Sequence, residues 1–176
     1  MDVLSAINRK SKCVVQITLT TFDEGLCRII EPNVSTTAQR FAVLEAMREA
    51  GIPTVVWLDP TLPFINDTDE NLLGIMDYCI RAKVRGIICF GFGTTMREGS
   101  RDYFYKKLDE HFPGMKERYI QTFGNRYECL SPGNAHLTEV FQEMCHKNGI
   151  LYRPDDVFGY LRKFESIERQ FTLFEE

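Results

Sequence analysis

Apolar positions along the first half of the chain fall into two kinds of run that alternate. Residues 12–20 (KCVVQITLT) are β-branched and apolar with no helical stripe, which predicts a strand. Residues 35–50 instead place Phe41, Leu44 and Met47 on one side of a helix. Ser35 or Thr36 can cap its start, and Gly51-Ile52-Pro53 stops it. Residues 54–58 (TVVWL) predict a second buried strand. Asp67-Thr68-Asp69-Glu70 is an N-terminal capping signature, and the helix it opens turns Leu72, Met76, Cys79 and Ile80 inward before ending near Arg81 and Lys83. Residues 86–90 (GIICF) predict the third strand. Apolar, non-alternating strands joined by helices mean a parallel sheet with right-handed crossovers.

The second half reads differently. Phe104, Leu108 and Phe112 recur at four-residue spacing in a helix over 101–112 that Pro113-Gly114 ends. After a stretch bearing glycine and proline, Asn134 is expected to cap a helix with Leu137, Val140, Phe141, Met144 and Cys145 on one stripe, ended by Gly149. Residues 150–152 suit a short edge strand, and Asp155 is expected to start a last helix with Phe158 and Leu161 inward. Residues 166–176 are polar apart from Phe171, Leu173 and Phe174 and are expected to pack loosely.

Composition narrows this picture. A chain of 176 residues suits one domain, and scaling predicts that folding buries about 70% of its surface. A closed eight-stranded β/α barrel, however, takes at least about 200 residues, so barrel units here can make only part of one. The net charge of −4 gives no bulk attraction to nucleic acid or anionic membrane. No apolar run approaches the roughly 20 residues of a membrane-spanning helix, and Met1-Asp2-Val3-Leu4-Ser5 lacks the pattern of a signal peptide. A cytoplasmic protein is expected. Cys13, Cys27, Cys79, Cys89, Cys129 and Cys145 fall at no metal-ligand spacing and read as reduced core thiols. His111, His136 and His146 sit on the helices of the second half, with no acid or cysteine at triad or zinc spacing.

In parallel α/β architectures, ligands bind beyond the carboxyl ends of the strands. Three loops qualify. Thr18 and Thr20 share one face two residues apart, with hydroxyls suited to a ribose or an amino-acid carboxylate, though threonine is also simply a good strand former. Asp59 follows strand residues where an unpaired charge is costly, or it serves as a turn residue before Pro60. Gly91-Phe92-Gly93-Thr94-Thr95 offers backbone amides to a phosphate, or is only a flexible turn. Arg40, one turn into its helix, either reaches back over the strand ends to a carboxylate or is solvated.

The same residues carry a resemblance. Thr18-Leu19-Thr20-Thr21, then Glu31-Pro32-Asn33-Val34-Ser35, then Arg40 nine positions past Glu31, resemble the spore photoproduct lyase-like branch of the radical S-adenosylmethionine (SAM) proteins. Ala50-Gly51-Ile52-Pro53, Asp59-Pro60-Thr61-Leu62-Pro63 and Asn66-Asp67 fit that pattern in order. So do Leu108-Asp109, Phe112-Pro113-Gly114, Tyr119, Phe123-Gly124-Asn125, Tyr127, Ser131-Pro132 and Leu173-Phe174.

The resemblance implies a partial (β/α) barrel of about three parallel strands with covering helices, entered at its fourth strand, plus a mostly helical C-terminal extension. Residues 1–95 would be the barrel part, 96–165 the extension and 166–176 a tail. In the family, a CxxxCxxC loop holds a 4Fe–4S cluster that cleaves SAM to a 5′-deoxyadenosyl radical. This chain has no CxxxCxxC, so the cluster is not expected to bind here. By resemblance, Thr18, Thr20, Glu31, Arg40, Asp59 and Gly91 would contact SAM, although close relatives often carry a small residue where Asp59 stands. The chain would then be a truncated frame, one part of a split protein, or an excised piece. Expected partners are an N-terminal barrel half carrying the cluster and a second copy meeting the open strand edge. DNA enters as a substrate by resemblance alone. The alternatives are a non-catalytic docking half and a small β/α domain that binds a phosphorylated metabolite at residues 91–95.

Overall fold

A computed structural model describes residues 2–164. The tail expected at 166–176, with Leu173 and Phe174, lies outside the described residues, as does residue 165 at the end of the expected extension.

Among the described residues the order is α1 (Asp2–Lys10), β1 (Val15–Thr18), α2 (Glu24–Ile30), α3 (Thr37–Glu49), β2 (Thr54–Trp57), α4 (Asp69–Arg81), β3 (Gly86–Ile88), β4 (Gly93–Thr95), α5 (Ser100–His111), α6 (Met115–Phe123), β5 (Glu128–Leu130), α7 (Asn134–Asn148) and α8 (Pro154–Arg162). The protein is a mixed α/β fold built on a three-stranded parallel sheet in the order β1-β2-β3. Gln16 lies opposite Val55, and Val55 opposite Gly86. The edge strand expected at 150–152 is a single parallel bridge, Leu151 to Gly86, beyond β3. No helix among the described residues is long and apolar enough to cross a membrane.

The helices begin where local chemistry tells them to. Thr36 flanks α3, and the Gln39 side chain accepts the Thr36 amide at 2.9 Å, so Ser35 stays outside. Thr68 Oγ1 accepts the Asn71 amide at 3.2 Å and opens α4. Two expected starts are corrected. Asn134 is the first residue of α7 rather than its cap, because its Oδ1 is taken by the Phe92 amide at 2.7 Å. The last helix starts at Pro154, one residue before Asp155, since proline fits a first helical turn. The strands are also shorter than expected: residues 12–14 and 19–20 lie outside β1, and 89–90 outside β3.

Because the side-chain period of a strand is two, the register sorts the sheet into two faces. Ile17, Val56 and Ile87 join Leu44, Leu72, Ile75, Phe141 and Cys145 in the main core under α3, α4 and α7. On the opposite face Val55 and Ile88 pack with Val157 of α8, with Trp57 and Phe158 beside them. Gly86 permits that approach: a Cβ there would sit 3.1 Å from the Leu151 carbonyl oxygen and 3.3 Å from Val157.

The expected C-terminal extension divides. α5, α6, β4 and β5 share a satellite core of Met96, Leu108, Tyr119, Phe123 and Cys129, whereas α7 and α8 return to the two faces of the sheet.

Candidate functional site

The carboxyl end of β1 draws four of the six candidate residues together. Arg40 reaches back from α3 to the Thr18 carbonyl oxygen, 3.1 Å from Nη1, and pairs through Nη2 with Glu31 Oε2. The other carboxylate oxygen of Glu31 accepts from the Thr20 hydroxyl at 3.1 Å. The Arg40 and Glu31 side chains are only 15% and 23% exposed, so water screens the pair far less than a surface ion pair. Arg40 is thus the carboxylate-directed arginine and not a solvated one. Thr18 takes part through its carbonyl, leaving its hydroxyl on the strand face shared with Gln16 and Trp57.

Beneath this pair lies a buried polar knot that sequence reasoning missed as a unit. Asn66 Nδ2 donates to the Thr20 carbonyl and to Thr21 Oγ1, both at 3.0 Å, while its Oδ1 accepts the Leu62 amide at 2.6 Å. Asn71 donates to the same Thr20 carbonyl at 2.9 Å and accepts the Phe22 amide at 2.6 Å. Thr37 Oγ1 donates to the Thr21 carbonyl. Thr20, Thr21, Thr37 and Asn66 are all buried, and no buried side-chain nitrogen or oxygen among the described residues lacks a partner. The knot holds the end of β1 against the starts of α3 and α4, which fixes the platform carrying Glu31 and Arg40.

Asp59 and Gly91 lie apart from this cluster. Asp59, next to a cis peptide bond to Pro60, accepts the Phe90 amide through Oδ2 at 2.9 Å. Burial raises its carboxyl above the usual range, and the amide of Phe90 partly offsets this. Gly91 adopts φ 120°, which residues with a Cβ rarely reach. Both line a cleft of about 460 Å³ whose wall includes Thr94, Glu128 and Leu130.

The expected phosphate loop is corrected in its form. The amides of Phe90 and Phe92 already serve Asp59 and Asn134, and Gly93–Thr95 is a strand, β4, paired antiparallel with β5. It is not a free run of amides.

All six cysteines are unbridged. Burial pushes the thiols of Cys89 and Cys145 up to about 12 and raises Cys79 as well, so these three stay protonated at neutral pH. Among the described residues no group of three or more His, Cys, Asp and Glu could hold a metal ion. His136 pairs with Asp69 at 2.8 Å on the surface, joining the starts of α7 and α4.

Comparison with known proteins adds little. The chain is 28% identical over 109 residues to uncharacterized proteins of Mycobacterium tuberculosis (strain H37Rv) and Mycobacterium bovis. The match covers 62% of this chain and 32% of each relative, so the chain spans about a third of the length of the curated relatives it matches. No family model matches it. No solved structure matches it significantly.

Proposed function

We propose that the chain is the C-terminal part of a radical SAM β/α barrel of the spore photoproduct lyase-like branch, contributing SAM-side contacts at Thr18, Thr20, Glu31 and Arg40. The observation that carries this reading is the Thr20–Glu31–Arg40 contact at the carboxyl end of β1, because three polar residues 11 and 9 positions apart meet where barrel enzymes bind ligands. The sheet order supports it. The strands follow one another without reversal, and α3, α4 and α7 pack on the same face, as in a singly wound barrel wall and unlike a doubly wound sheet. Asp59 and Gly91, at the ends of β2 and β3, would extend the same ligand face.

The residues present do not fit a 4Fe–4S cluster. No three of the six thiols converge, and burial raises four of them, Cys79, Cys89, Cys129 and Cys145. Within this proposal the cluster belongs to a separate N-terminal half, and no reaction step is assigned to these residues alone. Among the described residues no strand pairs with the outer edge of β1. That edge is where such a half would add a strand, or where a second copy would associate in its absence.

Titration with SAM tests the reading. Saturable quenching of Trp57, the single tryptophan and the register partner of Thr18, is expected. Thr18→Val should weaken binding about tenfold. The absence of saturable binding would overturn the assignment of these four residues. Reconstitution with iron and sulfide should yield no stoichiometric cluster, and a stable one would sink the split-barrel reading.

A further inference from the structure

We propose that the cleft beyond the carboxyl end of β3 is a second ligand site, for a small molecule that joins a flat apolar body to one anionic group. The cleft holds about 490 Å³ between the end of β3, α7 and the residues that lead into α8. Phe141 and Tyr152 form its apolar side, meeting edge to face with ring centroids 6.1 Å apart. Thr138 and Gln142, one turn apart on α7, and Arg153 supply its polar side.

The charge of the cleft selects the ligand. No acidic residue lines it, in a chain where 25 acidic residues outnumber 21 basic ones. The neighbouring cleft carries Asp59 and Glu128 instead. Arg153 is the charged side chain of its lining, and a guanidinium matches the paired oxygens of a carboxylate or a phosphate. No described residue hydrogen-bonds to or ion-pairs with the Arg153 guanidinium, the Thr138 hydroxyl or the Gln142 amide. Three unengaged donor groups thus border one space with aromatic walls, the usual make-up of a small-molecule site. None of Thr18, Thr20, Glu31 and Arg40 lines the cleft, and Gly91 is the candidate residue it shares with the SAM reading.

Trp57 reports on it, because its ring centroid lies 6.3 Å from that of Phe90, which borders the cleft. Phenyl phosphate, benzoate and neutral benzyl alcohol are titrated into the full chain while tryptophan emission is followed. At least one anion should saturate below about 10 mM, and benzyl alcohol should bind at least about tenfold more weakly. Whichever anion binds more tightly identifies the preferred head group as phosphate or carboxylate. Arg153→Met should weaken the anion about tenfold and Gln142→Leu about threefold. Arg28→Met, on the exposed side of α2, should change nothing. Both cleft positions are exposed or at a helix border, and far-UV circular dichroism verifies that the variants fold. The proposal is overturned by no saturable anion binding, by equal binding of benzyl alcohol, or by undiminished binding in both Arg153→Met and Gln142→Leu.

Discussion

The two faces of the parallel sheet are made from the same three strands and yet are covered very differently. One face lies under three long helices and carries the continuous core from Leu19 to Ile150. The other rests on α8, with Val55, Ile88 and Val157 at its centre and an aromatic group of Trp57, Phe90 and Phe158 at its upper end. Phe90 is 62% exposed there. The difference teaches that rigidity is divided unevenly between the faces. A face sealed by three helices fixes the strands, and a face with one short helix leaves side chains free to meet something else.

Neighbours on β3 give the sharpest way to break this comparison. Ile87 points into the helical core and Ile88 to the α8 face, and they are 0% and 1% exposed. Ile87→Ala should cost about 4 kcal/mol in urea unfolding, near the upper end for such a truncation, because three packed helices cannot close over the cavity. Ile88→Ala should cost about 2 kcal/mol, since α8 can settle inward. Equal costs would mean that the two faces are equally rigid. Gly86→Ala comes next, at about 1 to 2 kcal/mol, because its Cβ meets the Leu151 carbonyl and Val157 at 3.1 and 3.3 Å. Hydrogen exchange should show α8 loosened in this variant with α4 unchanged, and equal loosening of both helices would contradict the division.

The smallest effect is a pH dependence at the end of β2. The folded carboxyl of Asp59 is raised by burial above its unfolded value of about 3.9. The folded state therefore holds the proton more tightly, and stability falls as pH rises from about 4 through the folded value. Asp59→Asn, whose side-chain oxygen can still accept from Phe90, should remove that decline. Its advantage over the parent should appear only above about pH 4. An advantage of the same size at pH 3 would refute the burial argument.

Much of the sheet and its helices could be read from the sequence, because each signal was local. α3 and α4 carry a cap, an apolar stripe and a stop within their own residues, and both formed close to where the pattern put them. β4 could not be read this way: Gly93-Thr94-Thr95 has turn composition and becomes a strand only because Cys129 lies opposite Thr94. α2 was hidden in the loop after β1, with only seven residues and a cap, Asp23, that also suits a turn. At the site, the position of Arg40 over the strand ends was one of two legible options, and Glu31 decided it. The knot of Asn66, Asn71, Thr21 and Thr37 was not legible, because two of its bonds join residues 45 and 46 positions apart.

The uninterrupted strand order also has a consequence for how the chain is made. Each strand lies beside the one synthesised just before it, so the sheet can grow at a single edge in the direction of translation. When Ile88 leaves the ribosome, all three strands and the three helices between them are already outside. The last element to emerge among the described residues is α8, which closes the second face. Through most of its synthesis, then, that second face is open to solvent or to whatever partner is at hand.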